Sequence, residues 1–324
     1  MKARLTRRGR VVLGIAVVAA LLGWGFGGRA LNAVVMPALA LLVAGGVSAW
    51  RLDRPTVTRN VQRYGFVGDS RTVELVVDTD QSFTASVVDE LSSGLDGGGE
   101  FETVVDGSTI TYDVDLPNRG VHTIGPLRVV ARDLFGFWER SFYYGFSTEV
   151  VAYPPVRSLG DDLAGGFAGT TDDREHFDSL REYQRGDALR DVNWKASAKR
   201  ASGDMVVTRY GGRGSSDSVV VAAEADPSHP DEVAEAAASV AAHLLDAGLA
   251  VGAVTHWGSV APGTGTEQRR QILDLLARMG RGSLSPGLRD EADVLVTSDR
   301  SGAHVELAGG RRPYRSLLRN RSPG

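Results

Sequence analysis

The sequence predicts a multi-domain protein: an N-terminal transmembrane helical hairpin, then a β-sandwich-like domain, then an α/β, doubly wound domain. Three observations predict this order. Two apolar runs lie near the N-terminus, short alternating segments between turn residues fill the middle, and strand-like and helix-like periods alternate in the last third. The predicted segments are 1–54 for the two-helix anchor, 55–157 for the β domain, 158–215 for a polar motif segment, 216–310 for the α/β domain and 311–324 for a basic tail.

The membrane prediction rests on residues 11–50, which we expect to contact the lipid bilayer. Val11 to Phe26 is almost entirely Val, Ala, Leu and Gly, and Leu31 to Trp50 is a second such run. The second run has the length of about 20 residues that spans a bilayer as a helix. A signal peptide is the alternative for the first run. The second run, and the lack of a small-residue cleavage site before Arg29, favour a hairpin of two spans.

The basic residues around the two runs predict the orientation. Five Lys or Arg residues precede the first run, Arg29 lies in the turn, and four more follow the second run. Because cytoplasmic flanks carry the excess of positive charge, both ends are predicted to lie in the cytoplasm, with the body on that side of the cell membrane. An envelope protein facing outward would need the reversed topology.

The composition excludes several classes of function. None of the 324 residues is Cys, which excludes disulfides, thiol nucleophiles and cysteine-ligated metals. Residues 64–324 hold 26 basic and 39 acidic residues, and such an acidic body is repelled by phosphate backbones. We therefore expect no nucleic-acid partner.

The middle of the chain shows the alternation typical of half-buried strands. It appears in Arg71–Asp78, Ser82–Asp89 and Thr109–Asp115, with Gly-rich or Asp-Gly turns between them. A further strand ends at Asp133-Leu134-Phe135-Gly136-Phe137-Trp138, which we interpret as a packed β-corner.

The last third alternates between two periods. Strands are predicted at Ser218–Ala223, Leu249–His256 and Asp293–Thr297, and helices at Asp231–Asp246 and Glu267–Met279. Strands that alternate with helices predict a parallel, doubly wound sheet.

Residues 180–200 form the densest cluster of charged and aromatic side chains in the sequence. The segment reads LREYQRGDALRDVNWKASAKR. One interpretation is a partly buried ion-pair network that holds two domains together. The other is a polar site, in which Glu182, Asp187 and Asp191 would be the acid and base groups of a hydrolase.

This segment closely resembles the defining motif of the domain-of-unknown-function 58 family, and the run from Arg119 to Phe137 resembles the segment that precedes the motif there. The residues that carry the resemblance are Arg181, Glu182, Tyr183, Gly186, Asp187, Arg190, Trp194 and Lys199. The family has no assigned chemistry. The resemblance implies a von Willebrand factor A-like C-terminal domain and a protein partner of the MoxR-type AAA+ ATPase class.

The same resemblance raises the question of a metal site, because some von Willebrand A domains bind Mg²⁺ through Asp-x-Ser-x-Ser after their first strand. The matching place here holds Glu224, Asp226 and Ser228, and Asp299 follows a later strand. Four oxygen side chains suit a hard cation. The changed residue types favour a degenerate, metal-free domain, so we expect no cofactor, with Mg²⁺ as the alternative.

Familiar catalytic motifs are missing from the sequence, which contains no nucleophile elbow, no His-Glu-x-x-His and no Walker lysine motif. The function predicted from the sequence is therefore a non-enzymatic, membrane-anchored scaffold for protein–protein interaction. It would act with its ATPase partner in the assembly or maturation of other proteins. The alternative is the hydrolase with its site in the 180–200 motif.

Overall fold

The chain divides into two compact units, Met1–Pro154 and Pro155–Gly324. The computed structural model describes residues 3–26, 32–107, 109–160, 177–182, 206–210, 218–225, 228–307 and 310–319, and of 177–182 and 206–210 only the backbone path. The two N-terminal helices and the β domain, predicted as separate segments, fall in the same unit.

Two helices open the first unit, α1 at Arg7–Phe26 and α2 at Asn32–Arg51. The Thr6 hydroxyl caps α1 by accepting a hydrogen bond from the Gly9 N–H at 3.1 Å. Residues 7–25 of α1 are long and apolar enough to span a membrane, whereas the apolar part of α2, Val35–Arg51, is shorter. Among the described residues, one N-terminal helix therefore has the properties of a membrane span or a signal sequence, and a span by α2 stays a prediction.

The β domain follows as two packed sheets. Its larger sheet joins β1 at Arg4–Leu5, β3 at Tyr64–Phe66, β5 at Phe83–Leu91, β7 at Glu100–Val105, β9 at Gly120–Arg132, β10 at Trp138–Tyr144 and β11 at Thr148–Tyr153. Its smaller sheet joins β2 at Thr56–Asn60, β4 at Ser70–Asp78, β6 at Asp96–Gly97 and β8 at Thr109–Asp115 in the order β2-β4-β8-β6.

Alternating side chains of both sheets build the core. Val73, Leu75 and Val77 of β4 are buried, while the residues between them face solvent. They belong to the same apolar cluster as Val87 of β5 and Val129 of β9 in the other sheet. Two sheets whose inner faces share one core form a β-sandwich, so the prediction of a β-sandwich-like domain is confirmed.

The long strand β9 organises the larger sheet. Its first half pairs with β11 and its second half with β10, while β5 runs along it through Thr84–Leu91. Strand β10 in turn pairs with the short strand β1, which directly precedes the anchor: Arg4 lies opposite Glu139 and Leu5 opposite Trp138. Arg4 and Leu5, which precede α1, are thus part of the sandwich.

The second unit contains a six-stranded mixed sheet. Its strands are β14 at Ser218–Ala223, β15 at Ala250–Thr255, β16 at Gly258–Gly263, β17 at Val294–Asp299, β18 at Gly302–Leu307 and β19 at Gly310–Pro313, in the order β16-β15-β14-β17-β18-β19. Only β15, β14 and β17 are mutually parallel. The other three strands follow two-residue connections, and a connection this short joins antiparallel neighbours.

The helices of this unit are α3 at Pro230–Asp246, α4 at Gly265–Arg278, α5 at Pro286–Asp290 and α6 at Tyr314–Leu317. Helices α3 and α4 contact each other and the sheet, so they cover one face of it. The alternation of strands and helices is confirmed, and the domain is a mixed α/β sheet. A doubly wound fold also needs helices on the second face, and α3 and α4, the two long helices, both lie on the first.

The second unit also contains a strand pair whose residues precede the mixed sheet in the sequence. Strand β12 at Phe177–Glu182 pairs antiparallel with β13 at Val206–Tyr210. Arg181 and Glu182 therefore sit at the end of β12, opposite Val207 and Val206.

Candidate functional site

The predicted family motif falls largely outside the described residues. Its first two residues, Arg181 and Glu182, are the last two residues of strand β12. The other members, which are Tyr183, Gly186, Asp187, Arg190, Trp194 and Lys199, and the candidate acid Asp191, lie outside the described residues. The choice between an ion-pair network and a polar site therefore stays open.

Glu224, the first predicted metal ligand, is held by an arginine. It follows β14 directly and is only 7% exposed. Its Oε1 accepts a hydrogen bond from Arg289 Nη2 at 2.6 Å, and its Oε2 accepts from Arg289 Nε at 2.8 Å and from the Leu284 N–H at 3.0 Å. This bidentate pair ties the end of β14 to α5 and uses both carboxylate oxygens.

Ser228 and Asp299 do come together, but the Ser228 hydroxyl contacts the backbone carbonyl of Asp299 and not its carboxylate. The Ser228 hydroxyl donates to the carbonyl of Asp299 at 3.4 Å, and Ser298 donates to the Ser228 carbonyl at 2.6 Å. The Asp299 carboxylate accepts from the Ser301 N–H at 2.8 Å and from Arg311 at 2.8 Å.

Neighbouring residues in the turn between β17 and β18 lower the pKa of Asp299. Hydrogen bonds from the hydroxyl and N–H of Ser301, with the charges of His304 and Arg311, hold the pKa of Asp299 below its usual range. The carboxylate therefore stays ionised as the acceptor of the turn between β17 and β18.

These contacts decide how well the residues fit a cation. Glu224 and Asp299 are each paired with an arginine of the protein. Within the described ranges no three His, Cys, Asp or Glu side chains are placed to hold a metal ion, and Asp226 lies outside them. The two described carboxylates, Glu224 and Asp299, are thus already paired with arginines, which makes them a poor fit for Mg²⁺.

The carboxyl ends of the parallel strands nevertheless lie at one edge of the sheet. This edge carries an exposed tryptophan that the sequence analysis did not predict. The two-residue turn between β15 and β16 carries Trp257, which is 67% exposed. Glu224 after β14 and Asp299 after β17 lie at the same edge of the sheet. The exposure of this tryptophan could have been predicted from its place in the short segment Thr255–Gly258, because a turn of this length is too small to bury an indole.

A second site lies where α2 meets the sandwich. The Trp138 indole donates its Nε1–H to the carbonyl of Leu42 at 2.8 Å. Arg140 Nη1 donates to the carbonyls of Trp50 at 2.9 Å and Leu52 at 2.6 Å. The last carbonyls of a helix lack partners within it, so Arg140 caps α2 and also offsets the negative end of its dipole.

Glycines bring α2 close to this strand. A Cβ atom added at Gly45 would lie 2.5 Å from Asp133 Oδ2 and 3.2 Å from Trp138 Cδ1. Beside the contact is an open groove of about 750 Å³ between α1, α2 and β10. Its mostly apolar lining includes Leu13, Leu39, Val43, Val47, Trp50 and Trp138.

A third polar cluster lies inside the sandwich. Arg59 of β2 and Asp89 of β5 form an ion pair whose side chains are 1% and 0% exposed, with Nη2 and Oδ1 2.5 Å apart. The Tyr112 hydroxyl of β8 donates to Asp89 Oδ2 at 2.6 Å, and Arg59 Nη1 donates to the Ile124 carbonyl of β9 at 3.0 Å. Burial raises the pKa of Asp89, although the Tyr112 hydroxyl and the Arg59 charge oppose the rise. Closed to solvent, the cluster cross-links the two sheets and offers no room for a substrate.

Comparisons with known proteins add little to this picture. No protein-family model matches the chain, and no curated protein matches it. Among solved structures, a PKD domain of an M14-like peptidase from a Thermoplasmatales archaeon is similar at 14% identity over 31% of this chain and 97% of that one, with a TM-score of 0.22.

Two further structures are similar at the same level. Native alpha-2-macroglobulin from Escherichia coli, spanning domain MG7 to the C-terminus, matches at 18% identity over 33% of this chain and 18% of that one, with a TM-score of 0.25. A FixG-related protein from Vibrio parahaemolyticus matches at 10% identity over 31% and 98%, with a TM-score of 0.21. At these TM-scores the likenesses carry no argument about function.

Proposed function

We propose that this protein is a non-enzymatic scaffold that α1 and α2 anchor in the cell membrane and whose α/β domain docks a protein partner. In this proposal the body faces the cytoplasm, and the domain is a von Willebrand A-like variant of mixed strand direction. The partner class implied by the family resemblance is a MoxR-type AAA+ ATPase, acting in the assembly or maturation of other proteins.

The membrane part of the proposal is supported by the exposure and attachment of the helices. Apolar side chains such as Val18 of α1 and Val43 of α2 are more than half exposed, which suits lipid rather than water. Strand β1, just before α1, pairs with β10, and α2 hydrogen-bonds to the same strand. Cleavage of α1 as a signal sequence would remove an edge strand of the sandwich. This favours the interpretation that α1 stays in the mature protein as a membrane anchor.

The docking part of the proposal rests on one observation, the exposed Trp257 at the carboxyl edge of the mixed sheet. Tryptophan is enriched among the residues that dominate protein–protein binding, and its exposed indole can enter a pocket of a partner. Charged side chains at the same edge, Arg289 and Asp299, would form the polar rim of the interface.

The test is a pull-down of the full chain from detergent-solubilised membranes, followed by mass spectrometry. Recovery of an AAA+ ATPase is expected with the native chain and is expected to be lost with Trp257→Ala. Glu291→Ala is the matched control, because Glu291 is exposed at the opposite edge, before β17. It is expected to leave recovery unchanged.

Two outcomes would overturn the proposal. One is recovery of the ATPase by Trp257→Ala at the native level, which would place the docking surface elsewhere. The other is recovery of no ATPase together with a hydrolytic activity that Asp187→Ala abolishes, which would favour the hydrolase alternative.

A further inference from the structure

The turn between β9 and β10 exposes apolar side chains at the end of the sandwich. Leu134 is 91% exposed and Phe135 is 41% exposed, and the rings of Phe135 and Phe137 stack with their centroids 5.8 Å apart. One exposed apolar residue is ordinary on a protein surface. A leucine and a phenylalanine side by side at the tip of a hairpin form a compact apolar projection, which we call the tip, residues 134–137.

The tip has a fixed shape. Asp133 is buried, its Oδ1 accepts from the Trp138 N–H at 2.7 Å, and its carbonyl accepts from the Gly136 N–H at 2.9 Å. Gly136 has a φ of +67°, a conformation that other residues rarely adopt. These hydrogen bonds fix the conformation of the turn. The apolar side chains of the tip therefore point away from the core.

The tip is also tied to the start of α1. The Thr6 N–H donates to the carbonyl of Phe137 at 2.8 Å, and the Thr6 hydroxyl donates to the carbonyl of Gly136 at 2.6 Å. Helix α1 begins at the next residue, Arg7. Wherever the N-terminal end of α1 meets the bilayer surface, the tip meets it too.

Charge favours the same orientation. Arg7, Arg8 and Arg10 are exposed in the first turns of α1, beside the tip. Juxtamembrane arginines are attracted to anionic headgroups by about 1 kcal/mol each. The apolar groove between α1, α2 and β10 reaches Trp138, the residue that follows the tip, so the apolar surface continues from the helices to the sandwich.

We propose that the tip is a lipid-binding wedge: Leu134 and Phe135 insert into the bilayer interface beside the first turn of α1, in a leaflet that contains anionic phospholipid. Amphipathic elements of this kind reach about 5–10 Å below the headgroups. The wedge would give the sandwich a second attachment and restrict its rotation about the anchor. This inference rests on the proposed membrane crossing of α1.

The cysteine-free sequence makes the test direct, because each introduced thiol is the single labelling site. Three variants of the full chain are labelled with a polarity-sensitive fluorophore: Leu134→Cys at the tip, Val18→Cys in α1, and Ser93→Cys at the far end of the sandwich. Ser93 is exposed, and its neighbour Ser92 hydrogen-bonds to Thr123. Thr123 precedes Asp133 by ten residues of extended strand, about 30 Å.

The labelled proteins are placed in nanodiscs of phosphatidylcholine and phosphatidylglycerol that carry nitroxide lipids. The probe at 134 is expected to emit at shorter wavelength than the probe at 93 in the same nanodiscs, and to be quenched by a nitroxide near the headgroup. The probe at 18 is expected to be quenched by a nitroxide deep in the acyl chain, and the probe at 93 by neither.

The result separates the wedge from the anchor. If the probe at 134 behaves like the probe at 93 while the probe at 18 is quenched, the wedge is wrong and the anchor stands. If none of the three is quenched, α1 does not enter the bilayer, and the proposed function fails as well. A short-wavelength probe at 134 that no nitroxide quenches would mean that protein covers the tip, which also overturns the wedge.

Discussion

Arg59→Met is the substitution with the sharpest expected effect on the β domain. It removes the buried partner of Asp89 and leaves a carboxylate with no cation inside the sandwich. Breaking a buried ion pair from one side costs about 3–5 kcal/mol, because the remaining charge is neither paired nor hydrated. The Ile124 carbonyl also loses a hydrogen bond, so the upper part of this range is expected.

The effect is best measured by hydrogen exchange of the full chain, read by mass spectrometry over β5 and β9. Since 1.4 kcal/mol is a factor of ten, a loss of 3–5 kcal/mol makes exchange in these strands roughly 10²- to 10³-fold faster or more. Peptides from β14 and β15, in the other unit, are internal references and are expected to keep their protection.

The matched control is Arg71→Met, which breaks an arginine–carboxylate pair at the surface. Its side chain and that of Asp69 are 19% and 37% exposed, and pairs of this kind contribute about 1 kcal/mol or less. If Arg59→Met accelerates exchange no more than Arg71→Met does, the reasoning from burial is refuted. Replacing the whole set by Arg59→Met, Asp89→Leu and Tyr112→Phe is expected to restore most of the protection, because no unpaired charge is then buried and only the Ile124 carbonyl lacks its former donor.

The acidity of Asp89 gives this prediction a pH dependence. Burial already raises the pKa of Asp89, and loss of the Arg59 charge removes one of the opposing influences. An acid with a raised pKa in the folded state favours folding in its protonated form, so its penalty is absent below the unfolded pKa of about 4 and grows as the pH rises toward the folded pKa. The excess exchange of Arg59→Met is therefore expected to shrink on acidification, after correction for intrinsic rates.

Three further predictions concern the other sites. Gly45→Val is expected to separate α2 from β10 and to increase protease cleavage near residue 138, whereas Gly14→Val, where a Cβ meets nothing within 4 Å, is expected to change nothing. Gln268→Leu removes the donor of the buried Val251 carbonyl and of the partly buried Ala261 carbonyl, and the free energy of unfolding of the second unit is expected to fall by about 1–3 kcal/mol, as measured by thermal unfolding. Added Mg²⁺ is expected to leave the melting temperature unchanged, and a rise that Glu224→Ala with Asp226→Ala abolishes would contradict the poor fit of that site.

Local patterns were enough to predict several of the longer regular elements. The alternation in Arg71–Asp78 and Thr109–Asp115 corresponds to β4 and β8, and the helical spacing in Glu267–Met279 corresponds to α4. Such patterns record which face of an element is buried, and this is a local property. The antiparallel strand β16 escaped prediction because its sequence, GSVAPG, has little alternation and contains Pro262.

The site residues were harder to predict because their partners are distant in sequence. Asp299 was placed correctly at the end of a strand, but the pairing of Glu224 with Arg289 joins residues 65 positions apart. No local spacing reports such a contact. The tip was misread for a related reason: its aromatic composition suggested a packed corner, whereas Leu134 is almost fully exposed. The composition of a segment identifies its apolar side chains, but only the fold shows whether these side chains are buried or exposed.

The pairing of β1 with β10 has a consequence for the order in which the protein is made. Arg4 and Leu5 are synthesised more than 130 residues before their partners Glu139 and Trp138. At 5–20 residues per second, roughly 7–27 seconds pass between the synthesis of β1 and the synthesis of the strand it pairs with. As the proposed membrane anchor, helix α1 must therefore reach the membrane before β10 has been synthesised. The sandwich is completed afterwards, when β10 pairs with a β1 that is already held at the membrane.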